Sequence, residues 1–586
     1  MTRIVSAFLI SFVLIGLVAC GGGGSSTPPV PLTISPSAAA VNIGGSQAFT
    51  VTNSQTAATW SISGPGSINQ NGIYVAPATF PAPNTVTVTA TLGKQSGTAT
   101  VTVVFPNDNA GNESVPIKLG TSGGNILDNS TDGKECCIGT LGSLIDRGGT
   151  KFILSNNHVL ARSSLGKTGE AIDQPGQAGC PQGSKGQQVA SLTEQAALKP
   201  TSTITTPPCN GAPSPCGFAP SNVDAAIATI VPTTVDLTGA ILDLGPAGST
   251  SIASAPPSSA IGDPAAVLAA NGKVAKVGRT TGLTCSTLTA VNMTTTVPYD
   301  ASCGAADSAP GGFTAAYTNQ IAINGGTFSA SGDSGSLIVT ADTARPIGLL
   351  YAGTNTSTVA NPITDVIKAF TQAGPPAVAP TFVGGADHPV SCAPTGQAPA
   401  SPPGPQSLPV AAQKLAIAAR DHNRVALMSA DPAIRSVEVG ASLDNPSEAA
   451  LVIQLGAPAK ASIPATLDGV RTKLVYSAGV AAPSMTKADI ERTTTIKEAH
   501  ENSLFGPGVQ GVGVGRSDDA PGETAIVIFT IRGEAHAPIP AVIGEVRTKV
   551  IEGERFRSTH WNPQLERSTG TCSKAPAKIS VKTSPK

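Results

Sequence analysis

A serine held between glycines, in Gly332-Asp333-Ser334-Gly335-Ser336, stands just before the apolar run Leu337-Ile338-Val339. Glycine lets the backbone approach closely, so such a serine sits on a tight turn with its hydroxyl exposed. The N–H groups of Gly332 and Ser334 could then converge on a developing oxyanion, usually the largest single contribution to acyl-transfer catalysis. A serine hydroxyl is a weak nucleophile alone; it needs a base, and the base needs a group to orient it. Both residue types occur upstream. His158 follows the strand-like stretch Lys151-Phe152-Ile153-Leu154-Ser155, and Asp224 enters the apolar run from Ala225 to Val231. Each would sit where a rigid strand meets a loop. The order His158, Asp224, Ser334 suits nucleophilic acyl transfer assisted by a general base.

Three boxes carry a resemblance. Leu154-Ser155-Asn156-Asn157-His158-Val159, Val223-Asp224-Ala225-Ala226-Ile227 and Gly332-Asp333-Ser334-Gly335 resemble the triad motifs of the trypsin-like (chymotrypsin-fold) serine peptidases. The resemblance covers residues 115–372. It implies two six-stranded β-barrels with the triad in the cleft between them. It also implies His158 as general base, Asp224 as its orienter, Ser334 as nucleophile, and the amides of Gly332 and Ser334 as oxyanion hole. The run from Ile347 to Gly353 looks like the strand that lines the substrate, which makes Leu350, Tyr351 and Gly353 substrate-binding expectations. Phe328, six residues before the serine, joins them and speaks against a preference for basic side chains. Val277-Gly278-Arg279-Thr280-Thr281-Gly282-Leu283-Thr284 resembles a strand of the second barrel in a divergent branch of bacterial and plant members. The sequence departs from the usual boxes in two places. Val159 follows the histidine where a cysteine is usual, so the disulfide beside the base is absent, and Ser334 is followed by Gly335-Ser336-Leu337. The expected activity is a serine endopeptidase acting on peptide or protein substrates, with no cofactor.

Each box has a plainer interpretation: a turn for Gly-Asp-Ser-Gly, a structural histidine for His158, a strand cap for Asp224. Two other functions compete. One is a non-catalytic surface binding or scaffold protein that keeps the trypsin-like fold. The other is a serine esterase, which is disfavoured because that fold expects Gly-x-Ser-x-Gly and the order Ser, Asp, His.

The elements that must hold these residues are short strands. Of 586 residues, 64 are glycine and 49 proline, and only 12% are charged, which favours a turn-rich β protein of several domains. A formal charge of -1 gives no reason to expect a nucleic-acid partner. No cysteine–histidine cluster has metal-site spacing, so no metal is expected. The fold class is therefore multidomain and mainly β: an Ig-like β-sandwich, a trypsin-like double β-barrel and a C-terminal duplicated α/β module.

Residues 1–20 form a signal peptide, with Arg3 before an apolar run from Ala7 to Ala19 that is short for a bilayer span. Leu17-Val18-Ala19-Cys20 looks like the lipobox of bacterial lipoproteins, making Cys20 the lipidation site. Residues 21–30 are a flexible tether. The expected location is the bacterial cell envelope, exported and anchored to the membrane by lipid. With uncharged Gly21 after the cysteine, that is the outer membrane in a Gram-negative cell. Residues 31–104 alternate in short runs separated by turns and resemble bacterial Ig-like domains, with Trp60 as the core residue and a spacer role.

Export permits disulfides, and Cys209/Cys216 and Cys285/Cys303 are the local pairings to try first, although connectivity cannot be read from sequence. Residues 186–222 hold a Thr/Pro/Cys-rich insertion, expected to be a surface loop beside the cleft. Residues 373–408 read as a Pro/Ala/Gly-rich linker.

A duplication follows, with repeats at 409–480 and 487–556. Val437-Glu438-Val439-Gly440 corresponds to Val512-Gly513-Val514-Gly515, and Val470-Arg471-Thr472-Lys473 to Val546-Arg547-Thr548-Lys549. Each repeat has a helix before its strands. The first is expected over 411–427 with Leu415, Ala418 and Val425 on its apolar face, the second over 496–504. The two half-domains are expected to pair back to back. His422, His500, Arg471 and Arg547 are expected as helix caps and surface charges. A module of this kind could gate the cleft or bind substrate. Residues 557–586 read as a polar tail.

Overall fold

The computed structural model describes residues 31–128, 137–176, 186–201, 222–301, 311–392, 408–460 and 462–558. The expected signal peptide, tether and lipidation site Cys20 lie outside the described residues, as do Cys209, Cys216, Cys303 and the residues from 559. The chain is a multidomain, mainly β protein.

The N-terminal region stacks a four-stranded sheet on a three-stranded one. The first runs Ala38–Asn42, Gln95–Val104, Thr85–Leu92, Thr59–Ser63; the second runs Ser46–Ala48, Ile73–Val75, Ser67–Ile68. Alternating apolar residues such as Val86, Val88 and Val101 face inward, as the two-residue strand period requires. Phe49 and Tyr74 fill the centre, whereas Trp60 is half-buried at the rim. The wide indole is thus an edge cover for this small core.

Two closed sheets follow. In the first, strands Gly139–Leu141 and Ser143–Arg147 are separated only by Gly142 and act as one bent strand. Thr121–Asn125 pairs with its start and Thr150–Ser155 with its end. The sheet closes through Ala171–Gln174, Gln187–Gln195 and Ala226–Ile230. In the second, Lys273–Gly278, Leu337–Thr340, Pro346–Gly353, Ser357–Pro362, Phe313–Asn324 and Gly282–Tyr299 pair in that order, and the last pairs back to the first. Closure leaves these strands no free edge within the ring.

Residues 373–392, expected as linker, are instead tied to both barrels. Thr381–Phe382 pairs with the Ser143–Arg147 strand, and Cys392 forms a disulfide with Cys285. That bond replaces the expected Cys285/Cys303 pairing. It joins positions 107 residues apart that chain proximity does not suggest.

The duplicated module consists of two helix-plus-sheet units. Their helices, Val410–Ala430 and Lys487–Leu504, are longer than expected. The second starts early because Thr486 and Asp489 form a capping box. The first helix packs through Ala416 and Ala419, while Leu415 is 68% and Val425 74% exposed. The expected face was therefore displaced: small alanines let the helix sit close to its sheet.

The two arginines are buried, not surface charges. Arg471 donates to the Thr548 carbonyl (2.7 Å) and to Glu448 (2.6 Å). Arg547 donates to the Thr472 carbonyl (2.8 Å) and to Glu523 (2.8 Å). Asp444 accepts from Ser517, and Asp519 from Ser442, in the same reciprocal sense. The units are thus clasped by matching residues about a local two-fold. His422 is exposed beside Asp468.

The second unit also extends the second barrel. Strand Val509–Arg516 pairs antiparallel with Gly282–Tyr299, followed by Thr524–Ile531 and Val546–Gly553, so one sheet runs from barrel to module.

Candidate active site

Each of the three chemistry-bearing residues lies at or close to the end of a strand. His158 stands in the short helix Asn157–Leu160 after strand Thr150–Ser155, and Asp224 stands two residues before Ala226–Ile230. Those strands pair with Ser155 opposite Ala226, which brings the imidazole and the carboxylate together. His158 Nδ1 lies 2.6 Å from Asp224 Oδ2, and the His158 amide donates to Oδ1 at 3.1 Å. The carboxylate therefore fixes both ring and backbone. Asp224 is fully buried. Its own backbone is held by Asn156, whose Nδ2 donates to the Asp224 carbonyl (2.7 Å), and by Asn361, whose Oδ1 accepts from the Asp224 amide (3.3 Å).

Three of the chain's five tyrosines surround this carboxylate. Tyr299 Oη donates to Asp224 Oδ2 at 2.6 Å and also meets the Tyr317 hydroxyl. Tyr351 packs against Tyr317 with ring centroids 4.7 Å apart. Burial and the Asp224 charge push all three phenols well above their usual range, so they remain neutral. Tyr299 is thus a stable donor to an otherwise costly buried charge. The motif reading missed Tyr299 and Tyr317. The scarcity of tyrosine, with two placed in strands flanking the serine box, was the available signal.

Ser334 lies on the turn before strand Leu337–Thr340. Gly332 and Gly335 adopt φ of 91° and 93°, the left-handed region that favours glycine. A Cβ at Gly335 would run into the Ser155 hydroxyl and the Thr140 carbonyl, so the turn presses directly on the first barrel. Thr140 is the receiving point. Its amide donates to the Ser334 carbonyl (2.7 Å) and its hydroxyl to the Gly332 carbonyl (3.0 Å). Ser155 Oγ in turn donates to the Thr140 carbonyl at 2.7 Å, three residues before His158. The amides of Gly332 and Ser334 have no protein acceptor among the described residues. Two N–H groups on a turn whose carbonyls are both held from outside fit an anion pocket.

Asp333 does not point at the cleft. It is buried and accepts from the amides of Thr280 (2.8 Å), Thr281 (3.1 Å) and Ala330 (3.0 Å), with Lys276 Nζ 3.4 Å from Oδ2. Lys276 also donates to Thr281 and to the Gly282 carbonyl. Burial pushes the Lys276 amine down from its ordinary value, and Asp333 counters it. This internal cation was not identified from sequence. A lone lysine in Val274-Ala275-Lys276-Val277-Gly278 was the signal.

The proposed substrate-binding residues separate into two groups. Phe328 and Leu350 are buried in the second barrel's core, and Tyr351 in the tyrosine cluster. Leu350 contributes only through its backbone, which accepts from Gly335 and donates to Ser336. Gly353 faces the cleft, and its backbone is already engaged by another part of the chain. Its amide donates to the Arg557 carbonyl (2.9 Å) and its carbonyl accepts from the Arg557 amide (3.1 Å). Next to that bridge, Ser334 Oγ donates to the Ser558 carbonyl at 3.3 Å. Ser334 is only 2% exposed. His158 Nε2 is buried and has no hydrogen-bond partner among the described residues. Nearby, burial pushes the Asp128 carboxyl up to about 7, with the charges of His158 and Arg162 pulling it back.

No family model matches this chain, and no curated protein matches it. Solved structures do. One is a glutamic acid specific serine protease that uses a histidine triad in substrate binding; it aligns with 45% of this chain and 100% of its own, at 17% identity and a TM-score of 0.27. Protease A of Thermobifida fusca aligns with 42% of this chain and 95% of its own, at 16% identity and a TM-score of 0.24.

Proposed function

We propose that this chain is a cell-envelope serine endopeptidase, working through Ser334, His158 and Asp224. The observation that carries the reading is the buried Asp224–His158 couple, whose remaining ring nitrogen has no partner among the described residues, beside a serine turn that presses on Ser155 and carries two unengaged amides, those of Gly332 and Ser334. In this reading Ser334 Oγ attacks a peptide carbonyl while His158 Nε2 takes its proton. The oxyanion forms against the amides of Gly332 and Ser334. Nε2 then protonates the leaving amine, and water repeats the sequence to free the acyl group. Tyr299 and Asp224 hold the imidazole in the tautomer this requires. An extended backbone already lying on Gly353 favours peptides over simple esters as substrates. We also propose attachment to the membrane through lipid on Cys20.

Ser334 donates to Ser558 and not to His158, which favours a second reading in which the cleft binds peptides without cutting them. Labelling with a fluorophosphonate serine probe separates the two. The wild-type chain should be labelled after residues 556–558 are displaced, and Ser334→Ala and His158→Ala should not. A folded chain with an open cleft that takes no label would sink the peptidase reading.

A further inference from the structure

The segment from Gly553 to Ser558 leaves the last strand of the module and crosses to the cleft. Phe556 is buried against Phe529, with ring centroids 5.7 Å apart, and its amide donates to Gln510 Oε1 at 2.7 Å. Gln510 Nε2 returns a bond to the Glu554 carbonyl (2.8 Å), and the Gln510 carbonyl accepts from Thr295 Oγ1 (2.7 Å) in the second barrel. Arg557 then makes a two-bond antiparallel bridge with Gly353, and Ser558, 2% exposed, covers Ser334.

We infer that residues 556–558 are a built-in occupant of the peptide-binding edge, and that the C-terminal module is the anchor that keeps the full-length chain latent. The inference rests on the reading of the Ser334 cleft as a peptide site and names its resident ligand. Strand Pro346–Gly353 runs past the last residue paired with Leu337–Thr340, which is Leu349, so one side of its end is open although the ring is closed. A segment lying antiparallel there gains backbone hydrogen bonds without regard to its side chains. Tethering makes that contact intramolecular, with an effective concentration on the order of millimolar or above, so a free peptide competes poorly. The occupant also takes the proton donor of Ser334 onto its own carbonyl. Two steps of catalysis are thereby blocked together, substrate access and the handover of the proton to His158. The anchor is strong because the sheet is continuous from Gly282–Tyr299 of the barrel through Val509–Arg516 to Val546–Gly553.

The test uses the full chain with Arg557→Pro, which removes the amide that bonds Gly353. Phe556→Ala is the second variant; it removes the anchoring ring and keeps every backbone donor. Hydrogen exchange at the Gly353 amide reads occupancy, and the rate of fluorophosphonate labelling at Ser334 reads gating. Exchange and labelling should both rise about tenfold or more in either variant. Equal labelling of wild type and both variants would overturn latency while leaving the active serine intact. A Gly353 amide that exchanges in the wild type as fast as in the variants would overturn the occupancy itself. Slow exchange in the wild type, relieved in the variants but without label in any of them, would support the occupant and count against the catalytic reading alone.

Discussion

Lys276 sets its ammonium 3.4 Å from the carboxylate of Asp333, and neither side chain reaches solvent. Asp333 precedes Ser334 and gathers three backbone amides from two loops. The pair therefore shapes the Ser334 turn from beneath without touching a substrate. Lys276→Met should cost about 3 kcal/mol or more, because it strands a buried charge. In a chain whose cleft has been opened it should also slow labelling of Ser334, since the amides of Gly332 and Ser334 lose their support. Lys276→Arg should recover part of both. Thermal denaturation and labelling rates on the two variants check this; unchanged labelling in a destabilised Lys276→Met chain would reduce the pair to a structural role.

Tyr299 is predicted to act on the imidazole through Asp224. Tyr299→Phe removes one hydrogen bond to a charged group, about 1.5–3 kcal/mol, with little change in shape. A fall of about tenfold or more in kcat at constant KM is expected in a chain whose cleft has been opened. The loss should shrink when Asp224→Asn is already present, as neighbours in one network couple. Steady-state kinetics on the double-mutant cycle decide it, and additive losses would separate Tyr299 from the triad.

The reciprocal clasp predicts symmetrical damage. Arg471→Ala and Arg547→Ala each take the guanidinium donor from a buried carbonyl of the opposite repeat and break an ion pair with Glu448 or Glu523, and each should destabilise the module by about 3 kcal/mol or more. Because the second repeat carries the segment that covers Ser334, both substitutions should also speed labelling of the serine. Urea denaturation and labelling together test this. Loss of stability in only one of the two would break the inferred equivalence.

Burial and the neighbouring Asp519 carboxylate push Asp444 up to about 6. Its ordinary value is 3.8, so between these pH values the folded chain holds a proton that the unfolded chain has released. The Asp444 contribution therefore makes the module more stable as pH falls through 6, and the unfavourable burial of its charge is fully felt above it. The expected difference between pH 7.5 and pH 4 is about 2–3 kcal/mol. Asp444→Asn should flatten that part of the profile, read as the difference between variant and wild type in urea titrations at several pH values. A difference that does not vary with pH would refute the assignment.

Much of the site was legible because its signals are local. A glycine-bracketed serine before an apolar run, a histidine just after one and an aspartate just before another each report a strand end. The periodicity of two that marks those strands also marks which side chains point inward. The repeat of Val-Arg-Thr-Lys likewise announced two equivalent units, though not that Arg471 and Arg547 would be buried between them. The helix at Val410–Ala430 shows the limit of local reading. Large apolar residues suggested one face, but the sheet accepted the alanine face, because close approach outweighed side-chain size.

The sequence by itself determined the mainly β architecture, the order of the three candidate catalytic residues and the duplication at the C-terminus. Those depend on alternation, turn chemistry and repetition within short windows of chain. Only the tertiary structure decided that Tyr299 holds Asp224, that Lys276 lies under Asp333, that Cys285 reaches Cys392, and that Ser558 covers Ser334. Ser558 and Ser334 are 224 residues apart. Such partners are chosen by sheet closure and domain docking, which bring together backbone edges that carry almost no residue-specific mark. A strand edge offers the same N–H and C=O groups whatever its side chains, so the pairing of Gly353 with Arg557 leaves no pattern in the sequence to read.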